Sequence, residues 1–452
     1  MPTPPPTLDF RTLVEASAAL PYAQPTGDNR IARLASRAAE VEAHAAGVRP
    51  ILHARTRTLI EDFLAALGEL GTPRERALYA GMGPAAFVTR LLSRRPLAFL
   101  NPSDVYMLRD GSGGSGGFES IGGEGEQGAL RLSELISYDE MAISALLGVS
   151  VPTHFINAGA RDNCGRRGAP GSFIERGVYV GLVGARFERA ERMEWQQLLV
   201  TAGQNTAAKG YGAAASAEQR ETALRRCWAR FFGRDYLPSF GEAAAHSGSA
   251  RYLEVPRLGL LDVELYRQRL RASIEPFLLD ADARAAAAGR RAYVHVVGLG
   301  LGVWRVHPRQ EALMVETYAE LLRELALPNI GDLDFSWFPN SSRCGGVGDG
   351  GVFETEDLAV RIHFSRRDPA APLAGDRADA LLVAMYAWDA NALPGNEYWM
   401  GSLSASGDPA AACCSNIPEL QNPDLNPRVS GDHALCFGEG AAGAPLEPSS
   451  KG

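Results

Sequence analysis

The sequence predicts an α/β fold, with helices layered on a mixed, mostly parallel sheet. Three observations carry this. Short apolar segments rich in Val, Ile, Phe and Tyr recur from about residue 150 onward, the composition of buried strands. Amphipathic helical patterns lie between them, the alternation that builds layered α/β cores. At 452 residues, 46% hydrophobic and 22% charged, the chain is long and apolar enough to bury a large core without disulfide staples.

Taken in order, the N-terminal part, residues 1–109, reads as helical. Asp28 to Ala46 carries Ile31, Leu34, Ala38, Val41 and Ala45 at helical spacing. Arg55 to Leu70 repeats the pattern with Leu59, Phe63, Leu67 and Leu70. Thr72-Pro73-Arg74-Glu75 is a capping box, so a further helix is expected from there to about Arg94-Arg95-Pro96. Residues 110–128 are dense in glycine and are expected to form a flexible surface loop, or a lid if they serve function. A helix is expected over Leu130 to Leu147. Expected strands are Thr153 to Asn157, Val178 to Val183, Tyr293 to Val297, Leu333 to Phe338, Leu358 to Phe364 and Ala380 to Trp388. Expected helices between them run from Ser216 to about Phe232, Asp262 to Ala287 and Gln310 to Leu325. The reading makes 129–440 the working domain and 441–452 a disordered tail.

Charge and composition exclude several functions. The net charge of −8 argues against non-specific nucleic-acid binding and against a polybasic membrane surface. No apolar run approaches the roughly 18 residues of a membrane span. Met1 to Asp9 lacks the basic-then-apolar pattern of a secretory signal. Six cysteines are too sparse for a disulfide scaffold, so a reducing, cytoplasmic setting is expected. No His or Cys cluster has zinc spacing, and no metal is expected.

Chemistry concentrates where apolar segments stop. Val296 to Trp304 ends a strand in Gly298, Gly300 and Gly302, with a helix expected after it. Backbone amides in such a turn can face a phosphate, although a ligand-free tight turn has the same pattern. It is not a dinucleotide fingerprint, because Val303 stands where the third glycine belongs. That weighs against a nicotinamide-dependent oxidoreductase. Tyr386 to Glu397 empties a strand into Asp389, Asn391, Pro394-Gly395, Asn396 and Glu397. Polar groups there would stand at the carboxyl edge of a parallel sheet, where open α/β folds bind ligands. Asp408-Pro409 reads as an N-cap followed by Pro at the first helical position. Asn157 ends another apolar segment, and Asp334 alternates with apolar neighbours, so its carboxylate is expected to point inward. His295 reads as a core histidine, and Cys413-Cys414 as packed helix residues.

These segments together look familiar. Asn391-Ala-Leu-Pro394-Gly395, followed by Asp408 before an Ala/Cys helix, resembles the ribose and catalytic loops of poly(ADP-ribose) glycohydrolase-type macrodomains. Gly298 to Trp304 resembles their diphosphate loop. The order of the two is reversed, as in a circularly permuted macrodomain. From about Pro102 to Gly438 the chain resembles the MavL-type family of macrodomain-like arginine-specific ADP-ribosylhydrolases. The segments that carry this are Ser137-Tyr-Asp-Glu-Met141, Phe155-Ile-Asn157, Gly181 to Phe187, Asp334-Phe-Ser-Trp-Phe338 and Pro394 to Trp399, through Gln421-Asn-Pro423. The paired glutamates of the glycohydrolases are absent; Gly407-Asp408 stands in that neighbourhood.

The resemblance implies a three-layer macrodomain-like core and hydrolysis of the bond between ADP-ribose and an arginine side chain. It implies Asp389, Asp408, Glu397 and Asp334 as candidate catalytic acids. It implies Gly298, Gly300, Leu301, Gly302, Val303, Trp304, Asn391, Gly395, Asn396 and Asn157 as ADP-ribose contacts. No metal or cofactor is implied; ADP-ribose is the ligand and product, and an ADP-ribosylated protein the partner. A non-catalytic ADP-ribose reader would share the same loops.

Overall fold

The computed structural model describes residues 8–356, 358–404 and 406–447. Its centre is a mixed sheet built from β1 (Arg49–His53), β2 (Gly148–His154), β3 (Arg176–Leu182), β4 (Ala292–Val296), β5 (Ile330–Ser336), β6 (Val352–Glu354), β7 (Ala359–Ser365), β8 (Leu381–Ala387), β9 (Leu435–Gly438) and β10 (Ala441–Pro445). The strand order is β6-β7-β5-β4-β8-β3-β2-β1-β9-β10. Strands β7, β5, β4, β8 and β3 run parallel side by side. Beyond them β2 is antiparallel to both β3 and β1. Adjacent strands β4, β8 and β3 therefore release their loops at one edge, and β2 releases its own at the opposite edge.

Helices cover both faces. On one lie α1 (Val263–Ala288) and α2 (Gln310–Glu324). Tyr318 of α2 packs edge-on to Phe335 at 5.2 Å and donates to Met385 Sδ. On the other face α3 (Gly407–Cys414) brings Cys414 against Tyr179, and Gln421 just beyond it accepts from Tyr386 Oη. The alternation of side chains across each strand sends Tyr179 and Tyr386 to one face, and Phe335 and Met385 to the other. No helix among the described residues is long and apolar enough to cross a membrane.

Several expectations are corrected. The N-terminal part is not a helical region apart, because β1 lies within the central sheet, pairing with β2 and β9. Its residues Pro50 to Leu52 show no alternation, since both faces are covered. The expected helix from Thr72 breaks into Pro73–Tyr79 and Pro84–Ser93 at Gly81 and Gly83. Of Leu130 to Leu147 only Tyr138–Ser144 is helical, started by a capping box of Ser137 and Glu140. Residues 110–128 are not a free loop. Gly113–Ser115 pairs with Val105–Met107, and that strand pairs with Ala98–Leu100. Phe118, 1% exposed, packs edge-on to Phe99 at 4.8 Å. Aromatic burial and strand pairing offset the backbone entropy of the glycines. The expected tail is β10 over residues 441–445, followed by buried Leu446; residues 448–452 lie outside the described residues.

Candidate active site

The site grows from the loops at the carboxyl ends of β3, β4 and β8. Past β8 the chain turns through Trp388 and Asp389. The Asp389 carboxylate accepts from the Asn391 amide at 3.1 Å, which shapes the turn. Gly395 follows at φ 104, a conformation that favours glycine, and its amide donates to Asp408 Oδ1 at 2.8 Å. A loop after β8 and the first turn of α3 thus place Asp389, Glu397 and Asp408 together. Asp408 is not the N-cap expected from the sequence: Ser406 holds that position, and Asp408 lies inside the first turn.

These acids are crowded and poorly compensated. Asp408 is buried, and its Oδ2 has no hydrogen-bond partner. Burial, then the charges of Glu397 and Asp389, push its carboxyl well above the usual range. Glu397 is pushed up by burial and by Asp389, against a 3.3 Å bond from Ser406 Oγ. Asp389 is raised mainly by burial, with Arg186 pulling the other way.

Arg186 is the residue the sequence reading missed. It leaves the end of β3, and its side chain is 2% exposed. Its guanidinium lies 2.7 Å from Glu188 and 3.3 Å from Asp389. Its Cζ lies 5.0 Å from the centre of the Phe99 ring and 5.4 Å from that of the Trp304 ring. Asn396 completes the clamp: its amide donates to Asp389 at 3.3 Å and to the Phe99 carbonyl at 3.1 Å, and its oxygen accepts from the Phe99 amide at 2.9 Å. No local pattern marks Arg186, because only the adjacency of β3 and β8 brings it to Asp389.

The glycine loop meets the acids through that arginine: Trp304 touches Arg186, and Arg186 touches Asp389. Gly300 has φ 65, and a Cβ on it would meet the Ala185 carbonyl at 2.8 Å; one on Gly184 would meet the Gly300 amide nitrogen at 2.1 Å. The glycines here let two strand-end loops interlock. A Cβ on Gly298 would crowd the Leu301 side chain at 3.1 Å, Gly302 has open space beside it, and Val303 is 90% exposed. Helix α2 starts only at Gln310, whose side-chain oxygen accepts from the amides of Val306 and His307 at 2.8 Å each. The helix end is thus capped by the chain itself.

Two candidates fall outside the pocket. Asn157 follows β2, so it emerges at the opposite edge; its side chain is spent on Asn163, the Arg166 carbonyl and the Gly159 amide. Asp334 does point inward, but at the register of His295, within the sheet. Its Oδ2 accepts from Tyr293 Oη at 2.8 Å and Ser365 Oγ at 3.0 Å. His295 is buried as a core residue. Asn391 lies beside Met193, its amide 3.4 Å from the sulfur. A cavity of about 600 Å³ lined by Arg55, Asp62, Arg230 and Glu439 shares no residue with this cluster, and its cations are already paired with its acids.

The family described as ADP-ribosylhydrolase MavL-like matches residues 11–437. Two relatives from Drosophila melanogaster are similar over most of their length. The ADP-ribosylarginine hydrolase CG2909 is 37% identical over 404 residues, 86% of this chain and 79% of its own. The ADP-ribosylarginine hydrolase CG3568 is 40% identical over 394 residues, 84% of this chain and 76% of its own.

Proposed function

The chain belongs to the MavL-like ADP-ribosylhydrolase family, and from that premise we propose that Asp389, Glu397 and Asp408 surround the bond it cleaves. The protein is an ADP-ribosylarginine hydrolase: it removes ADP-ribose from the arginine side chains of modified proteins. The observation that carries the site assignment is the excess of buried negative charge. Three neighbouring carboxylates face one ion-paired cation, Arg186, and Asp408 keeps an oxygen without a partner. A cationic group completes such a pocket, and the guanidinium of an arginine adduct is one.

The roles follow from what each acid already holds. Asp389 is engaged by Arg186 and Asn396, so it orients. Glu397, the more open of the two remaining acids, grips the substrate guanidinium. Asp408 is the base. Substrate binding supplies the missing positive charge, which lowers the cost of ionising Asp408. Its free oxygen then takes a proton from water as the water oxygen bonds to C1″. The bond from C1″ to nitrogen breaks through an oxocarbenium-like state, and its electron pair leaves with the guanidine nitrogen. Asp408 returns the proton to the released guanidine, which is thereby recharged. Trp304 and Val303 border the loop assigned to the diphosphate, and Asn391 and Gly395 the turn assigned to the ribose. We read the sheet as macrodomain-like with these loops in reversed chain order; support comes from their emergence at one edge of adjacent parallel strands.

The test is release of ADP-ribose from an ADP-ribosyl-arginine peptide. The wild-type protein is expected to turn it over, and Asp408→Ala to bind ADP-ribose without releasing it from the peptide. Binding without turnover by the wild-type protein would mark a reader instead.

A further inference from the structure

Arg95 stands beneath the site as a buried cation with no acid of its own. It is 1% exposed, and among the described residues no carboxylate lies within ion-pair distance of it. Its guanidinium stacks 4.2 Å from the Trp388 ring, donates to Ser144 Oγ at 2.6 Å, and leaves Nε without a partner. A charge so buried and so poorly bonded is costly unless a field compensates it. The groups facing it are Asp389, Tyr386 and Arg109, and of these Asp389 is the carboxylate that can supply a compensating charge. Arg95 is also tied to the site turn by covalent and hydrogen-bond routes. Ser144 Oγ, which accepts from Arg95, donates to the Ala390 carbonyl at 3.3 Å. The carbonyl of Pro96, the next residue, accepts from the Leu393 amide at 3.0 Å. The backbone carbonyl of Arg95 is itself held by Arg109.

We propose that Arg95 is a positioning residue for the hydrolysis: an unpaired cation that fixes the turn from Trp388 to Leu393 and supports the charge of Asp389. The inference rests on the reading of Asp389, Glu397 and Asp408 as the reactive acids. Arg95 acts through Trp388 and Asp389 and touches no substrate. The Asp389 carboxylate feels both Arg186 and Arg95, against Glu188. Asp408 faces Glu397 and Asp389, with Tyr179 and Tyr386 on the strands below it. Removing Arg95 takes one of the two cations that act on Asp389, so that carboxyl becomes harder to ionise.

The experiment compares pH profiles of kcat/KM for ADP-ribosyl-arginine peptide in wild type, Arg95→Met, Arg95→Lys and Ser144→Ala. Arg95→Met is expected to move the acid limb to higher pH and to lower kcat by at least about tenfold, the scale of a misplaced catalytic group. Arg95→Lys keeps the charge, so its limb should return toward wild type while kcat stays reduced. Ser144→Ala leaves the charge and loosens the turn, so kcat should fall with the limb in place. If Arg95→Met does not fold, the last two variants still decide. A limb that shifts in Ser144→Ala, or wild-type kcat in both, overturns the proposal. Wild-type kcat and limb position in folded Arg95→Met overturn it as well. A wild-type protein without turnover would instead overturn the hydrolase site assignment.

Discussion

Two buried aspartates show how the same chemistry serves opposite ends. Asp280 on α1 is fully buried, and Arg49 reaches it at 2.6 Å, Arg284 at 3.0 Å and Ser150 Oγ at 2.6 Å. Despite burial, those partners hold its carboxyl below the usual range. Asp408 is also buried, yet it has one backbone donor and two acidic neighbours, and its carboxyl is pushed well up. A paired buried acid fastens a helix to a sheet. An unpaired one, beside other acids, is poised to take a proton or a cation.

The contrast can be broken most severely at Asp408. Asp408→Asn keeps the shape and the bond from the Gly395 amide, but removes the proposed base. It is expected to lose about 10²–10⁴-fold in kcat, the usual worth of a general base, while stability at pH 8 rises by about 1 kcal/mol. Peptide turnover and thermal unfolding read the two effects. At the other aspartate the signs reverse. Asp280→Asn leaves Arg49 and Arg284 beside an uncharged group, so it should cost about 3–5 kcal/mol of stability by denaturant unfolding. Turnover per folded molecule should stay near wild type.

Titration sharpens the comparison. With Asp408 and Glu397 in their proposed roles, their raised carboxyls are expected to place the acid limb of kcat/KM above the usual carboxylate range. The limb of kcat should lie lower, because the bound guanidinium favours the ionised acids. Stability follows the same signs. The Asp408 contribution is full below its unfolded pKa and is lost as pH rises through its raised folded value. The Asp280 contribution is present above its unfolded pKa and is lost as pH falls through its lowered folded value. Asp408→Asn and Asp280→Asn should each flatten one of these two slopes in unfolding curves measured against pH. The smallest effect is expected from Asn157→Ala. It should leave affinity for free ADP-ribose unchanged by calorimetry, since that side chain turns its own loop at the far edge.

Much of the candidate site was legible because its signals are local. Gly395, Asn396 and Glu397 follow an apolar strand directly, and Asp408 lies one short loop later, so their meeting needs little of the fold. The glycine loop was legible as a strand-end turn, although its glycines also serve the packing of Gly300 against Gly184 and Ala185. Asn157 and Asp334 were misplaced for one reason: a strand's end and its inward face can be read locally, but its direction and its neighbours cannot. Residues 110–128 were misread because glycine content reports the entropy to be overcome and says nothing of what overcomes it, here Phe118 on Phe99.

By itself the sequence determined the α/β class, most strand and helix positions, and the acidic turn of the candidate site, since periodicity, caps and strand-end polarity act over a few residues. Tertiary structure alone decided that β1 enters the sheet, that β2 runs against β3, that Arg186 reaches Asp389, and that Arg95 stacks on Trp388 beneath it. Those outcomes depend on strand adjacency between distant segments, and the charge balance of the pocket exists only once they meet.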